Sequence, residues 1–127
     1  MTMIDAAELK PLEWVASSLK DLRDFPVQVK RDIGSALLLA QKGGKADCVK
    51  PLKGFGGAGV LEVVEDHDGN TFRAVYTVRF ATAVYVLHAF QKKAKHGIAT
   101  PKHDLDIVRA RLALAEDRHR HKMREIR

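Results

Sequence analysis

A single cysteine in 127 residues leaves no partner for an internal disulfide. A reducing compartment suits such a chain, and nothing around Cys48 marks it as a nucleophile. No apolar run approaches the roughly 18 residues that a membrane-spanning helix needs, so no span is expected. The opening MTMIDAAELK has no basic stretch followed by an apolar core, which argues against a secretory signal. The expectation is a cytoplasmic protein without membrane contact. The glycine-rich run at residues 54–59, GFGGAG, is followed by neither Lys-Ser/Thr nor a helix, which excludes a Walker loop and a dinucleotide fingerprint. His119 and His121 stand two apart in a helical tail and diverge. Glu62 and Glu65 fall on opposite faces of a strand by parity. Asp104 and Asp106 diverge on a helix. No metal site is expected from these groups, and neither carboxylate pair resembles a glycosidase or two-metal nuclease centre. No cofactor is expected either.

What is present is an ordinary globular composition, with 46% apolar and 30% charged residues. At this length it reads as one domain over 1–127, with 1–9 a lead-in and 120–127 a basic tail. The net charge is +6, and all of the excess falls in residues 90–127, because acids and bases balance before that point. A basic C-terminal third suits a polyanionic partner, and equally a solvated basic helix.

Hydrophobic periodicity predicts an α+β domain. Leu12, Trp14 and Ala16 alternate in a short first strand, followed by a short helix through Leu19, Leu22 and Phe25. Val29, Ile33, Leu37 and Ala40 recur at helical spacing over residues 27–42, and Gly43-Gly44 stops that helix. Residues 43–59 read as loop. VLEVVE (60–65), residues 71–80 and residues 83–90 read as three strands of an antiparallel meander, joined by turns at 67–70 and 81–82. Thr100-Pro101 reads as N-cap and first residue of a closing helix that reaches about His119.

Period-two alternation places Arg73 and Arg79 on one face of the second meander strand. Lys92, Lys93, Lys95 and His96 follow the third. Convergence of these groups would neutralise phosphates and stabilise a phosphorane; the alternative is an ordinary charged strand and its end. His88 falls on the Val84, Val86 and Phe90 face, either as a satisfied core histidine or as an acid–base group. His96 and His103 flank the turn into the last helix and titrate near neutrality. Lys53 lies on the edge of the glycine-rich loop.

The stretches LRDFP, KPLKG, FRAVY, VYVLHAFQKK and GIATP, set in this order of elements, resemble the RelE/ParE superfamily of bacterial toxins. Within it the chain is most similar to the phage-derived, HigB-type branch, over roughly residues 10–117. The resemblance implies a RelE-like fold of two N-terminal helices, a meander with a short N-terminal strand, and a C-terminal helix. It implies the toxin of a type II toxin–antitoxin system, a metal-independent endoribonuclease that cleaves mRNA on the ribosome through attack of the 2′-hydroxyl on the adjacent phosphate. Carried over by position, Arg73 matches the arginine on the scissile phosphate and Lys93 the basic residue after the last strand; Lys92 supports binding. His88 joins the catalytic candidates. Lys53, Arg79, Lys92, Lys95 and His96 form the RNA-binding candidates. The RelE pattern carries lysines on the strand before the arginine, where this chain has VLEVVE. The base is therefore open among His88, His96 and Lys53. The implied partners are a cognate helix-turn-helix antitoxin, the ribosome and mRNA. Competing readings are a ParE-like gyrase inhibitor without nuclease activity and an inactive member that only binds its antitoxin.

Overall fold

The two-residue turn Asp68-Gly69 fixes the register of the central hairpin, pairing His67 with Asn70. Both residues take positive φ, 47° and 79°, the mirror-image turn whose twist matches that of paired strands. In the computed structural model, which describes residues 9–56, 59–92 and 99–126, this turn joins β3 to β4. The elements in chain order are β1 (Leu12–Trp14), α1 (Ser18–Arg23), α2 (Val27–Gln41), β2 (Val49–Pro51), β3 (Val60–His67), β4 (Asn70–Thr77), β5 (Val84–Lys92) and α3 (Lys102–Ile126). The expected α+β class and the order of its main elements hold.

The sheet is larger than a meander. Five strands lie in the order β1-β5-β4-β3-β2. β1 pairs parallel with β5, and the other pairs are antiparallel. Strand β2 corrects the reading of residues 43–59 as pure loop. It pairs with β3 over only three residues, Val49 with Val63, Lys50 with Glu62 and Pro51 with Leu61, and Pro51 is tolerated because the strand is an edge.

Helices cover both faces. On one, Leu22 and Phe25 with Val29, Ile33, Leu37 and Ala40 pack on Val63, Phe72, Ala74, Tyr76, Val84 and Val86. Each fully buried side chain of this size contributes about 1.5–3 kcal/mol. Helix α2 stops as the glycines predict: Gly43 takes φ 90°, and the Gly44 N–H returns to the Leu39 carbonyl at 2.9 Å. On the other face Val108, Leu112 and Ala115 of α3 pack on Val75, Tyr85 and Leu87. That helix runs past the predicted end at His119 to Ile126. Its continuation is tied down: Arg118 donates to the Trp14 carbonyl at 3.0 Å and Lys122 pairs with Glu13 at 3.3 Å. Part of the basic excess thus holds the helix to β1. No helix among the described residues is long and apolar enough to cross a membrane.

Two corrections bear on the site. Strand β4 ends at Thr77, so Arg79 lies beyond the strand, with its side chain reaching the Phe55 carbonyl at 3.5 Å. The second concerns β5. Val75 pairs with His88 but Tyr76 pairs with Val86, so Leu87 is an extra, bulged residue. The bulge breaks the period-two reading. His88 therefore faces α3, together with Leu87, and not α1 and α2 as Val84 and Val86 do.

Candidate active site

The α3 face of the sheet carries its charged residues in rows fixed by strand register. Lys50, Glu62, Val75 and His88 form one row across β2, β3, β4 and β5. Val64, Arg73 and Phe90 form the next. Thr71 and Lys92 belong to the third. Residues paired across neighbouring strands share a face, so four strands bring Lys50, Glu62, Arg73 and Lys92 to one surface.

At the centre is a buried ion pair. Arg73 NH1 lies 3.2 Å from Glu62 Oε1, with both side chains 3% exposed. Thr100 joins them: its hydroxyl accepts from Arg73 NH1 at 3.1 Å and donates to Glu62 Oε2 at 2.7 Å. This corrects the expected role of Thr100. Its side chain serves the ion pair, and the first turn of α3 closes with the Leu105 N–H on the Pro101 carbonyl at 3.0 Å. A cleft of about 220 Å³ opens above the pair, lined by Lys50, Lys53, Glu62, Arg73, Thr100 and Leu105 among others. Lys50 and Lys53 are exposed at its edge. Lys92 donates to the Ala99 carbonyl at 2.7 Å. Partial loss of water and the Arg73 charge nearby both pull its ammonium below the usual lysine range.

A second charged network lies beside the first. His88 Nε2 is 2.8 Å from Asp104 Oδ1, and Arg111 NH1 is 3.3 Å from His88 Nδ1. A guanidinium can only donate, so Nδ1 accepts and the ring proton sits on Nε2, facing the carboxylate. Burial pulls the imidazole below its usual range; Asp104 opposes this, and the Arg111 charge reinforces it. Both ring nitrogens are engaged, and the residue is 6% exposed. Arg111 also donates to the Leu87 carbonyl and to Ser17 Oγ, each at 3.0 Å. His88 thus joins α3 to β5, and Arg111 extends the link to the start of α1.

The structure brings Arg73, Lys53 and Lys92 to this surface of the sheet. Arg79 lies beyond the end of β4 with its guanidinium on the Phe55 carbonyl, and it is not among the described residues that line the cleft. Lys93, Lys95 and His96 lie outside the described residues. His103 is exposed on α3. His119 is held by Thr82 Oγ1 at 2.8 Å and stacks on Phe80 at 4.9 Å between ring centres. Among the described residues, no three His, Cys, Asp or Glu side chains gather so as to hold a metal ion. Sequence reasoning missed Lys50, Glu62 and Thr100. Their signal was available only in part: Glu62 interrupts an apolar strand, which is costly without a partner.

The profile of the phage-derived Gp49-like proteins (DUF891) matches residues 20–113, which runs from within α1 to about the middle of α3 and includes every described cleft residue. The chain belongs to the Gp49-like family. A comparison with curated proteins gives no significant match. Among solved structures, this Gp49-like chain is similar to a chain of the toxin–antitoxin complex RelBE2 from Mycobacterium tuberculosis. The identity is 18% and the TM-score 0.42, over 72% of this chain and 100% of that one.

Proposed function

We propose that this Gp49-like protein is the toxin of a type II toxin–antitoxin pair, of the HigB-like branch, and that it cleaves mRNA on the ribosome without a metal. The observation that carries the reading is the cleft, where Arg73 is held at the base and Lys50 and Lys53 stand at the edge. Such an arrangement accepts a phosphodiester and sets cations where charge builds during in-line attack by a 2′-hydroxyl. Arg73 contacts the scissile phosphate. Lys53 and Lys92 bind the flanking backbone, and Lys93, Lys95 and His96 continue the basic run after Lys92. In this reading His88 acts from behind, by fixing α3 over the cleft. A cognate helix-turn-helix antitoxin neutralises the toxin by covering the same positive surface with an acidic segment.

Controlled expression in bacterial cells, with and without a candidate antitoxin, tests this. The expected result is arrested translation with new mRNA 5′ ends in register with codons. DNA damage without mRNA cuts would replace the reading with gyrase inhibition. Growth arrest with neither would remove the nuclease assignment.

A further inference from the structure

We infer that Glu62 is the general base of the cleavage step, an assignment that rests on the RNA-cleaving reading above. Among the described residues lining the cleft, Glu62 is the only carboxylate. It is 2% exposed in the middle of an apolar strand, a placement that costs stability unless the group is fully bonded. Apolar pairs of similar volume often replace buried ion pairs without loss of stability, so stability is a weak account of the charges. The bonding is also directional. Arg73 occupies Oε1 and Thr100 occupies Oε2, which fixes the plane of the carboxylate at the cleft floor.

The pair is arranged so that a phosphate drawn to Arg73 arrives beside Glu62. The incoming anion takes over hydrogen bonds that the carboxylate holds in the free protein, and this leaves Glu62 lone pairs for the ribose hydroxyl. Lys50, directly across from Glu62 in the β2–β3 register, adds a cation on the open side. The step balances as follows. Glu62 takes the 2′-hydroxyl proton while the 2′-oxygen bonds to phosphorus and the bond from phosphorus to the 5′-oxygen breaks. The departing 5′-oxygen takes a proton from water, and the hydroxide formed is neutralised by the proton on Glu62. The products are a 2′,3′-cyclic phosphate and a 5′-hydroxyl end. His88 does not compete for this role, because it is not among the described residues lining the cleft, and Val75 separates it from Glu62 in the row. Lys53 is a cation and has no lone pair to offer while protonated.

The test uses purified full-length protein, translating ribosomes programmed with an mRNA of known sequence, and the same mRNA with a 2′-deoxy residue at the cut position. Wild type is expected to cleave only the all-ribose message. Glu62→Gln is expected to bind ribosomes as wild type does and to lose about 10²–10⁴-fold in kcat. It is also expected to lose the acid limb of the rate–pH profile, which a merely structural role would not remove. Cleavage by folded Glu62→Gln within threefold of wild type, or with the acid limb intact, overturns the assignment and leaves the nuclease reading standing. No cleavage by wild type removes that reading and this assignment together. If Glu62→Gln does not fold, Glu62→Asp decides. Its carboxylate is withdrawn by one methylene, so kcat falls about tenfold or more with the acid limb retained; a wild-type kcat overturns the assignment.

Discussion

Arg111 donates a 3.0 Å hydrogen bond to the carbonyl of Leu87, the residue that the bulge adds to β5. A bulge removes a carbonyl from the regular ladder, and a buried carbonyl without a donor is costly. The same guanidinium reaches His88 and Ser17, and Ser17 donates onward to Asp21 at 2.7 Å. One side chain of α3 therefore satisfies the irregularity in the sheet and ties it to α1. Arg111→Met is expected to destabilise the fold by about 2 kcal/mol, the scale of losing charged hydrogen bonds to buried acceptors. Arg111→Lys should recover less than half, because an ammonium lacks the planar fork that reaches all three acceptors. Urea unfolding, read as a shift in midpoint at constant slope, measures both.

The bulge also marks where the sequence stops being readable. Val29, Ile33, Leu37 and Ala40 declare α2 because one face of a helix is buried along its whole length. Asp68-Gly69 declares its turn because few residues adopt positive φ. Nothing in VYVLHAF distinguishes an even strand from a bulged one, so counting by two sends His88 to the wrong face. β2 contributes three residues, fewer than a period needs to register. Arg73 was visible as a strand arginine, but its partner depends on β3–β4 register and its third contact, Thr100, comes from 27 residues away. Of the edge of the site, Lys53 was legible beside its glycine-rich loop and Lys50 was not. The floor of the site was not legible.

Arg73 and Glu62 should respond very differently to single and double replacement. Arg73→Met alone strands a carboxylate with 3% exposure, and a loss of about 3–5 kcal/mol is expected. Replacing both, Arg73→Met with Glu62→Leu, should return stability to within about 1 kcal/mol of wild type or above it. Thermal and urea unfolding of the two singles and the double form a complete cycle. The double variant also separates activity from folding, since it should fold and not cleave. A double variant as unstable as the singles would contradict the buried pair.

His88 makes stability depend on pH in a defined direction. Its folded-state affinity for a proton lies below the ordinary value of 6.5, first through burial. The unfolded chain therefore binds more protons than the native one below pH 6.5, and stability falls as pH drops through that region. Above it the His88 contribution is complete and flat. His88→Gln, compared with wild type in urea at a series of pH values, should lower stability near neutrality and flatten the decline below 6.5. Carboxylates other than Asp104, which His88 contacts, titrate alike in both proteins and cancel in the difference. A steeper decline in the variant would reverse the assigned sign.

Two glycines predict opposite outcomes for the same substitution. Gly59 takes φ 77°, and a Cβ there would meet the Arg79 backbone at 3.1 Å. Its carbonyl also accepts from the Val78 N–H at 2.8 Å, so the β3–β4 entry depends on this conformation. Gly59→Ala should cost more than about 1 kcal/mol. Gly34 sits inside α2, exposed, with nothing within 4 Å of a Cβ. Gly34→Ala should stabilise by about 0.5–1 kcal/mol through helix propensity and a less free unfolded chain. Melting temperatures of the two variants, measured side by side, settle the pair.

The exposed lysines of the cleft are separable from the fold, which makes them the cleanest probes of RNA contact. Lys50 and Lys53 are both exposed, so replacing either should leave stability within about 0.5 kcal/mol. Each phosphate contact to a single strand contributes about 0.7 to the slope of log affinity against log salt. Lys50→Ala and Lys53→Ala should each weaken binding of a short uncleavable RNA, all 2′-deoxy at the cut position, and reduce that slope by about 0.7. The double variant should lose about 1.4, because two exposed charges with separate phosphates act independently. Fluorescence anisotropy across a salt series measures the slopes directly. Arg79→Ala serves as the contrast: its guanidinium rests on the Phe55 carbonyl and it is not among the described cleft-lining residues, so it should leave the slope unchanged. A loss of slope at Arg79 equal to that at Lys53 would extend the RNA path beyond the cleft to the Phe55 loop.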